Sequence, residues 1–285
     1  MWLGRASAVV CAIVLVACSE PSKISEQRAV SHVERLTKLV DEDVEELRRG
    51  MPRGGKNIAQ IWEGKGDPHT DPASVRHALD RVRSEERDLE ISKGTFFAVT
   101  DEKGVVLRSD QEPDQLAGQS LLVPFPAVGK VLAGETLEIR GTMPEMAGAR
   151  IGGDEEWVIA APARDTKAVV RGAFVSGWSF RRFAYHLEET LKHDLVTEAL
   201  RTGESRTKLP LIYVFVFAGA KVYGAPVTPL LNSQTLEGLK LLDKTDNGVA
   251  FHQQLEITGR GYGLAAARTP KMGQDVGVAV LRSEI

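Results

Sequence analysis

A repeated order of strands and helices constrains the fold of this chain more than any other sequence feature. Short matches pair two parts of the chain in one order: LAG (116–118) with LEG (236–238), LEIRG (137–141) with LEITG (255–259), AAPAR (160–164) with AAAR (265–268), and RGAFVS (171–176) with VGVAVL (276–281). One such match can arise by chance, whereas four in the same order indicate an internal duplication. The sequence therefore predicts two copies of one structural module.

Runs of apolar and β-branched residues predict five strands in each copy. In the first copy, FFAVT and GVVLRS flank the turn 101–104, where Gly104 suits a positive φ angle. After short helices interrupted by Pro124 and Pro126, three strands follow: LEIRG, EWVIAAPAR and AVVRGAFVSGW. The second copy repeats this order as LIYVFVF, KVYGA, a helical TLEGLKLLD, VAFHQQLEIT, GYGLAAAR and DVGVAVLRS.

Three longer helices are predicted around these strands. Apolar residues recur at steps of three and four over 26–49, and we expect Gly50 and Pro52 to end this amphipathic helix. The pair Asp71-Pro72 opens a second helix, with the aspartate as cap and the proline at the first position. The same periodicity predicts a third helix over 180–202.

The start of the chain indicates export. Arg5 precedes an apolar run over 6–17, and Cys18 follows directly. As a helix, twelve residues rise about 18 Å, less than the roughly 30 Å hydrocarbon core of a bilayer. A basic start, an apolar middle and small residues at the end are typical of a secretory signal. The alternatives are an ordinary signal peptide with a chance cysteine and a weak membrane helix.

The stretch LVAC, which ends at Cys18, resembles the lipobox of bacterial lipoproteins. The resemblance implies cleavage before Cys18 and attachment of lipid to its thiol. Several acyl chains would hold the protein firmly, because each buried methylene contributes about 0.8 kcal/mol. An acylated Cys18 would leave no thiol for a disulfide or for thiolate chemistry.

The first copy, FFAVTDEKGVVLRSDQEPDQLAGQSL, resembles the start of an extracellular Cache domain, in which a hairpin with an Asp-x-x-Gly turn precedes a Leu-x-Gly helix start. Two such modules behind a long helix resemble the double-Cache sensors of bacterial receptors. The resemblance implies an α+β fold of two PAS/Cache-like modules, each a five-stranded antiparallel sheet with flanking helices, preceded by a long amphipathic helix. The predicted divisions are a signal peptide (1–17), a lipidated tether (18–25), an N-terminal helical region (26–93), a first module (94–178), a connecting helix (179–203) and a second module (204–285).

Two features depart from the double-Cache pattern. Such receptors usually continue through a second membrane span, and no apolar stretch of that length follows the modules here, so we expect a separate membrane receptor to carry any signal. Amino-acid-sensing members carry an arginine and a tryptophan close together, whereas Arg150 and Trp157 are seven residues apart. An amino-acid ligand is therefore not implied.

Candidate ligand-binding residues are polar or aromatic groups near the predicted strands. They are Arg140, Arg150, Trp157 and Arg164 in the first copy and Tyr223, Tyr262 and Arg268 in the second. An arginine can grip a carboxylate through two parallel hydrogen bonds, and a tryptophan can cover a cation. The alternative is that the arginines face solvent and Trp157 belongs to the core. Trp157 aligns with Tyr262 and Arg164 with Arg268.

Several classes of function lack support in the sequence. A formal net charge of −3 gives no case for nucleic-acid binding. No nucleophile elbow, HExxH or paired-carboxylate signature is present, and we predict neither catalysis nor a cofactor nor a metal. Acidic runs such as GDEEW (153–157) are interpreted as solvated surface.

Together these features predict an envelope lipoprotein held to the bilayer through Cys18, facing the periplasm or exposed at the cell surface. Its tandem modules would bind a small molecule or a partner without catalysis and act through a membrane receptor or envelope protein. The alternative is a structural or adaptor lipoprotein whose PAS-like sheets serve only protein–protein interaction.

Overall fold

The computed structural model describes residues 7–63, 67–90, 96–143, 154–203, 209–245 and 248–284, with side chains from residue 21 onward. Contacts divide the chain into two compact units. The central unit comprises residues 41–183, and the terminal unit comprises residues 1–40 together with 184–285. In the part of the chain that the structure describes, no helix is both long enough and apolar enough to cross a membrane.

The first helix, α1, runs over Ser7–Ile58 and contributes to both units. The prediction that Gly50 and Pro52 end it was wrong, because the helix continues for two further turns. The glycines there serve close packing instead. A Cβ atom on Gly54 would lie 2.5 Å from the ring of Phe174, and one on Gly55 would lie 2.8 Å from the carbonyl oxygen of Pro162. These glycines let the helix backbone approach the sheet of the central unit.

Short helices continue the central unit after α1. A 3₁₀ turn covers Ala59–Trp62, α2 covers Pro72–Glu85 and α3 covers Arg87–Glu90. Asp71 caps α2 by accepting a hydrogen bond from the Ser74 backbone N–H at 3.1 Å, as the sequence predicted. The apolar stripe of α2 is buried, which fixes this helix against its neighbours.

The central sheet has five antiparallel strands in the order β2-β1-β5-β4-β3. The strands are β1 Phe96–Thr100, β2 Val106–Ser109, β3 Leu137–Met143, β4 Asp154–Arg164 and β5 Val170–Ser179. Between β1 and β2, Asp101 accepts hydrogen bonds from the N–H groups of Lys103 and Val105, and Gly104 has a φ of 76°. The predicted hairpin is confirmed.

The two faces of the central sheet bury different groups, because successive side chains of a strand alternate between them. One face, here called the helix face, lies against α1 and carries Ala161 and Phe174. The other face, here called the covered face, packs on the segment 116–132, which includes the short helix α4 (Val128–Leu132). The apolar cluster of the covered face comprises Phe96, Ala98, Val106, Leu116, Leu121, Phe125, Val128, Val131, Met143, Val158, Ala160, Ala173 and Val175.

The terminal unit repeats this architecture. After α5 (Phe180–Thr202), its strands are β6 Leu211–Ala218, β7 Lys221–Gly224, β8 Phe251–Ile257, β9 Arg260–Arg268 and β10 Val276–Ser283, with helices α6 Leu230–Gly238 and α7 Leu241–Lys244. The strand order β7-β6-β10-β9-β8 matches that of the central sheet. The predicted fold of two five-stranded antiparallel sheets with flanking helices and a long first helix is confirmed.

The early part of α1 sits directly on the terminal sheet. A Cβ atom on Gly263 of β9 would overlap the backbone of Ser25 and Glu26. The Glu26 carboxylate bonds the His252 ring at 2.7 Å and accepts from Gln254 at 3.0 Å, which ties the helix to β8. The close approach at Gly263 and the hydrogen bonds of Glu26 position the early part of α1 on the terminal sheet.

We expect Gly263→Ala to destabilise the protein by about 1–3 kcal/mol, because overpacking against a backbone cannot be relieved by a rotamer change. Gly238→Ala is the matched control, since no atom lies within 4 Å of a Cβ placed there. That helical control should be neutral or stabilising by up to about 1 kcal/mol. Denaturant unfolding of both variants measures the difference, and equal midpoints would contradict the proposed contact.

Candidate functional site

Glu156 is the most unusual side chain on the covered face of the central sheet. It lies on β4, two residues before Val158 of the apolar cluster, and is 1% exposed. Neither carboxylate oxygen has a hydrogen-bond partner among the described residues. A buried carboxyl group without partners costs free energy, so its presence in a core face points to a use other than packing.

The sheet leaves space for this carboxyl group at a glycine. Glu156 pairs across the strands with Ser179, and Val158 pairs with Gly177. A Cβ atom on Gly177 would lie 3.0 Å from Glu156 Oε2 and would overlap the ring of Phe96. The absence of a side chain at Gly177 therefore lets Phe96 and Glu156 lie over the sheet side by side.

A second acid, Asp154, lies beside Glu156 on the same face of β4 and is also 1% exposed. The Ser179 hydroxyl donates a hydrogen bond to Asp154 Oδ2, and Arg181 Nε lies 3.9 Å from Asp154 Oδ1. Asp154 thus has partners, whereas its neighbour has none among the residues that the structure describes. The two acids form one buried carboxyl pair, here called the acid pair.

Burial governs the protonation of the acid pair. It raises the pKa of Glu156 to about 8, with the charge of Asp154 raising it further and Arg182 opposing. Burial also raises the pKa of Asp154, against the hydrogen bond from Ser179 and the charge of Arg181. At neutral pH the Glu156 carboxyl is therefore mainly protonated, and a cation brought next to it would favour its ionised form.

The acid pair was missed from the sequence, where GDEEW was interpreted as solvated surface. That interpretation was wrong for two of the three acids. Strand alternation sends Asp154 and Glu156 to the covered face, while Glu155 faces the other way and pairs with Arg140 at 2.8 Å. The available signal was that the acidic run continues without a break into the apolar strand EWVIAAPAR.

The predicted site residues of the first copy are dispersed. Arg140 lies on β3 beside Glu155, away from the acid pair. Trp157 is 2% exposed and packs on Trp178 at a ring distance of 5.0 Å. Arg164 donates to the carbonyl oxygens of Gly134 and Ala168 at 2.9 and 3.2 Å. Arg150 lies outside the described residues.

The predicted residues of the second copy are buried or bound to backbone. Tyr223 is 5% exposed and Tyr262 is 6% exposed, the latter within the apolar cluster beneath α6. Arg268 donates to the carbonyl oxygens of Leu242 and Gln274 at 2.8 and 3.0 Å. A ligand contact at any of these three positions stays a prediction.

Of the two residue pairs aligned between the copies, Arg164 with Arg268 occupies equivalent places in the two sheets and Trp157 with Tyr262 does not. Arg164 and Arg268 each end the fourth strand of their module in chain order. Arg164 donates to the carbonyl oxygen of Gly134, just after α4, and Arg268 donates to that of Leu242, within α7. Trp157 packs on Trp178 on the helix face of its sheet, whereas Tyr262 lies in the cluster on the α6 side. Trp157 and Tyr262 therefore lie on non-equivalent faces.

Open clefts border α2 on the surface of the central unit. One of about 700 Å³ is lined by Arg76, His77, Arg81 and Arg108 among others. The Arg76 guanidinium already donates to the backbone carbonyl oxygens of Ser109, Asp110 and Gln111, at the end of β2 and just beyond it, at distances of 2.7 to 3.2 Å. This arginine thus fastens α2 to the sheet and is not available to an anion.

A partly buried polar contact joins α1 to the last strand of the terminal unit. Arg282, 1% exposed, donates to Nε2 of His32 at 2.7 Å. Burial and the positive charges of Arg282 and Arg28 lower the pKa of His32 to about 4. The neutral imidazole accepts the hydrogen bond, and a proton on Nε2 would both remove the acceptor and place two cations together.

The described residues include no group of three His, Cys, Asp or Glu side chains arranged to hold a metal ion. The acid pair supplies two carboxyl groups that are shielded from water. Such a pair can bind a compact cationic group, because ionised carboxylates accept several hydrogen bonds in a site from which water is excluded.

Comparison with known proteins identifies no family, since no protein-family model and no curated protein matches the chain. Among solved structures, a domain of a sensory box/GGDEF family protein from Vibrio parahaemolyticus has a TM-score of 0.54 at 9% identity, covering 93% of this chain and 98% of that one. An extracellular ligand binding receptor from Desulfohalobium retbaense has a TM-score of 0.48 at 9% identity, covering 89% of this chain and 40% of that one. The ligand-binding domain of the Pseudomonas aeruginosa chemoreceptor PctB, in complex with L-Gln, has a TM-score of 0.46 at 12% identity, covering 91% and 90%.

The similarity to the Vibrio domain, the highest of the three by TM-score, spans nearly the whole of both chains. At 9% identity it shows a shared fold and nothing finer. The architecture of tandem sheets predicted from the Cache resemblance is thus similar to the fold of this Vibrio domain.

We expect Glu156→Gln to stabilise the protein increasingly as the pH rises from about 4.5 to 8. The folded-state pKa lies above the ordinary value of 4.5, so the folded protein keeps a proton that the unfolded chain releases, and wild-type stability falls across this window. A difference of one pH unit between the folded-state and unfolded-state pKa values changes the free energy of unfolding by about 1.4 kcal/mol across the range between them. The difference between the two unfolding free energies, measured at several pH values, should grow with pH.

Glu155→Gln is the matched control, since it removes the neighbouring acid on the opposite face and leaves Glu156 in place. Its free energy of unfolding should still fall as the pH rises, as in the wild type, because Glu156 is retained. A Glu156→Gln difference from wild type that stays constant over the same pH range would contradict the buried, protonated state of Glu156.

We expect the opposite pH dependence for the contribution of His32 to stability. Its folded-state pKa of about 4 lies below the ordinary value of 6.5, so the unfolded chain binds the extra proton and stability is lost as the pH falls from about 6.5 to 4. His32→Gln keeps an acceptor for Arg282 without titrating, and its unfolding free energy should fall less over this range. His193→Gln, an exposed change on α5 that leaves His32 in place, should keep the loss of stability that His32 causes at low pH.

Proposed function

We propose that this chain is a lipid-anchored envelope protein that binds a small cationic ligand at the acid pair of its central unit, without catalysis. The observation that carries the proposal is Glu156, which is buried on the covered face with both carboxylate oxygens lacking partners among the described residues. A ligand ammonium group would supply the missing hydrogen-bond donors and the missing positive charge. Glu156 would then ionise and release its proton as the ligand binds.

The anchor is proposed at Cys18. Its support is the lipobox-like LVAC after a basic start and a short apolar run. An acylated cysteine would place the terminal unit at the surface of a bacterial membrane, facing the periplasm or the cell exterior. A membrane receptor or another envelope protein is the proposed signalling partner.

The proposed response rests on a difference in ligand affinity between two states, since a ligand shifts an equilibrium by no more than that difference. Neutral Glu156 in the free protein and ionised Glu156 in the complex place different charges on the covered face. The helix α1, whose later residues lie against the other face of the same sheet, is the proposed element that passes the change on.

A structural or adaptor role is the second candidate. The observation that favours it is the continuous apolar cluster on the covered face, which gives this unit a core packed without any ligand. In that role the sheets would present surfaces to an envelope protein, and small cations would leave the protein unchanged.

The test is thermal and denaturant unfolding of the full chain with polyamines, amino acids and carboxylates at neutral pH. A cationic compound present at 100 times its dissociation constant should stabilise the wild-type protein by about 2.7 kcal/mol. Carboxylates without an amine should have no effect. Calorimetry in buffers of different ionisation enthalpy should report release of a proton on binding.

Glu156→Gln should abolish both the stabilisation and the proton release, and Glu155→Gln should retain both. Unchanged unfolding with every compound would reject small-cation binding and favour the adaptor role. Stabilisation that persists in Glu156→Gln would place the ligand elsewhere.

A further inference from the structure

The loop between β7 and α6 exposes an apolar surface on the terminal unit. Val227 is 78% exposed, Leu230 59% and Leu231 47%, and the two prolines at 226 and 229 are exposed as well. Five apolar side chains within six consecutive residues thus face outward. A run of this kind marks a contact surface, whereas isolated exposed apolar residues are common on soluble proteins.

Strand pairing locates this loop at one end of the terminal sheet. The last pair between β6 and β7 is Phe215 with Gly224, so the chain leaving Gly224 heads toward the end where β6 begins at Leu211. Leu211 pairs with Ser283, whose hydroxyl donates to the Gly261 carbonyl oxygen at 2.8 Å. The β8–β9 turn lies at this same end.

The segment of α1 around Ser22 and Ser25 lies there too. The Ser22 side chain lies over Gly261, and the Ser25 hydroxyl accepts from the Glu284 N–H at 3.1 Å. Cys18 precedes Ser22 by four residues of the same helix, a rise of about 6 Å. An acyl anchor on Cys18 would therefore hold this end of the sheet close to the headgroups.

Positive charge also lies at this end of the sheet, toward the edge opposite the apolar loop, because β7 and β8 are the two edge strands. Lys23 on α1 and Arg260 at the β8–β9 turn are both exposed. The nearby Arg28 lies 3.5 Å from Glu284, which partly neutralises it. An apolar loop with exposed cations suits a bilayer surface that carries anionic phospholipids, because such a surface attracts basic side chains that lie close to it.

We propose that this end of the terminal unit contacts an anionic bilayer, with Val227, Leu230 and Leu231 inserted among the headgroups and Lys23 and Arg260 facing lipid phosphates. The inference rests on the proposed lipid anchor at Cys18. It adds a second contact that fixes how the terminal unit sits on the membrane, instead of leaving it on a free tether.

The test uses the full chain, exported and acylated, in vesicles of phosphatidylcholine with and without phosphatidylglycerol. Val227→Cys supplies the only free thiol of the acylated, signal-free chain, and an environment-sensitive fluorophore is attached to it. Val249→Cys is the matched control: this valine is 72% exposed in the same unit but precedes β8, at the opposite end of the sheet. Both changes are at exposed positions, and matching near-ultraviolet circular dichroism verifies the fold.

The label at 227 should emit at shorter wavelength and be quenched by lipid-borne quenchers, more strongly with phosphatidylglycerol, while the label at 249 should do neither. Lys23→Glu combined with Arg260→Glu should remove the effect of phosphatidylglycerol. If the chain floats with the vesicles but the label at 227 behaves like that at 249, the loop contact is rejected and the anchor stands. A chain that does not float rejects the anchor and the contact together.

Discussion

The inner strands of each five-stranded sheet in this protein carry apolar side chains on both faces, and both faces therefore have to be covered from water. In the central unit, α1 covers one face and the segment around α4 covers the other. In the terminal unit, the early part of α1 and the helices α6 and α7 do the same. Most of the remaining structure follows from this requirement. It explains why glycines occur where helix backbone meets sheet, and why an acid on the covered face has no access to water.

The buried Glu156 and the half-buried His32 respond to loss of contact with water in opposite ways. Burial of Glu156 favours its protonated form and burial of His32 favours its deprotonated form, so each is held neutral. For His32 the neutral state has a structural purpose, because its free nitrogen accepts a hydrogen bond from Arg282. Glu156 has no such partner among the described residues. This difference separates a group that holds the fold together from one that we assign to ligand binding.

Local sequence signals were sufficient for much of the fold. The Asp71 cap, the hairpin at Gly104, the helix over 180–202 and the repeated strand order all rest on preferences of neighbouring residues, and the structure has each of them. The end of α1 could not be predicted in this way. A glycine followed by a proline usually ends a helix, but here the contact of Gly54 with Phe174, more than a hundred residues away, outweighs that preference.

By itself, the sequence determined the class of fold and the repeated order of strands, because periodicity and turn residues depend on a few neighbouring positions. Only the tertiary structure decided which acids of GDEEW are buried and which faces Trp157 and Tyr262 occupy. Those outcomes depend on strand register, and a shift of one residue exchanges the two faces of a sheet. Register is set by partners distant along the chain, as Ser179 is from Glu156.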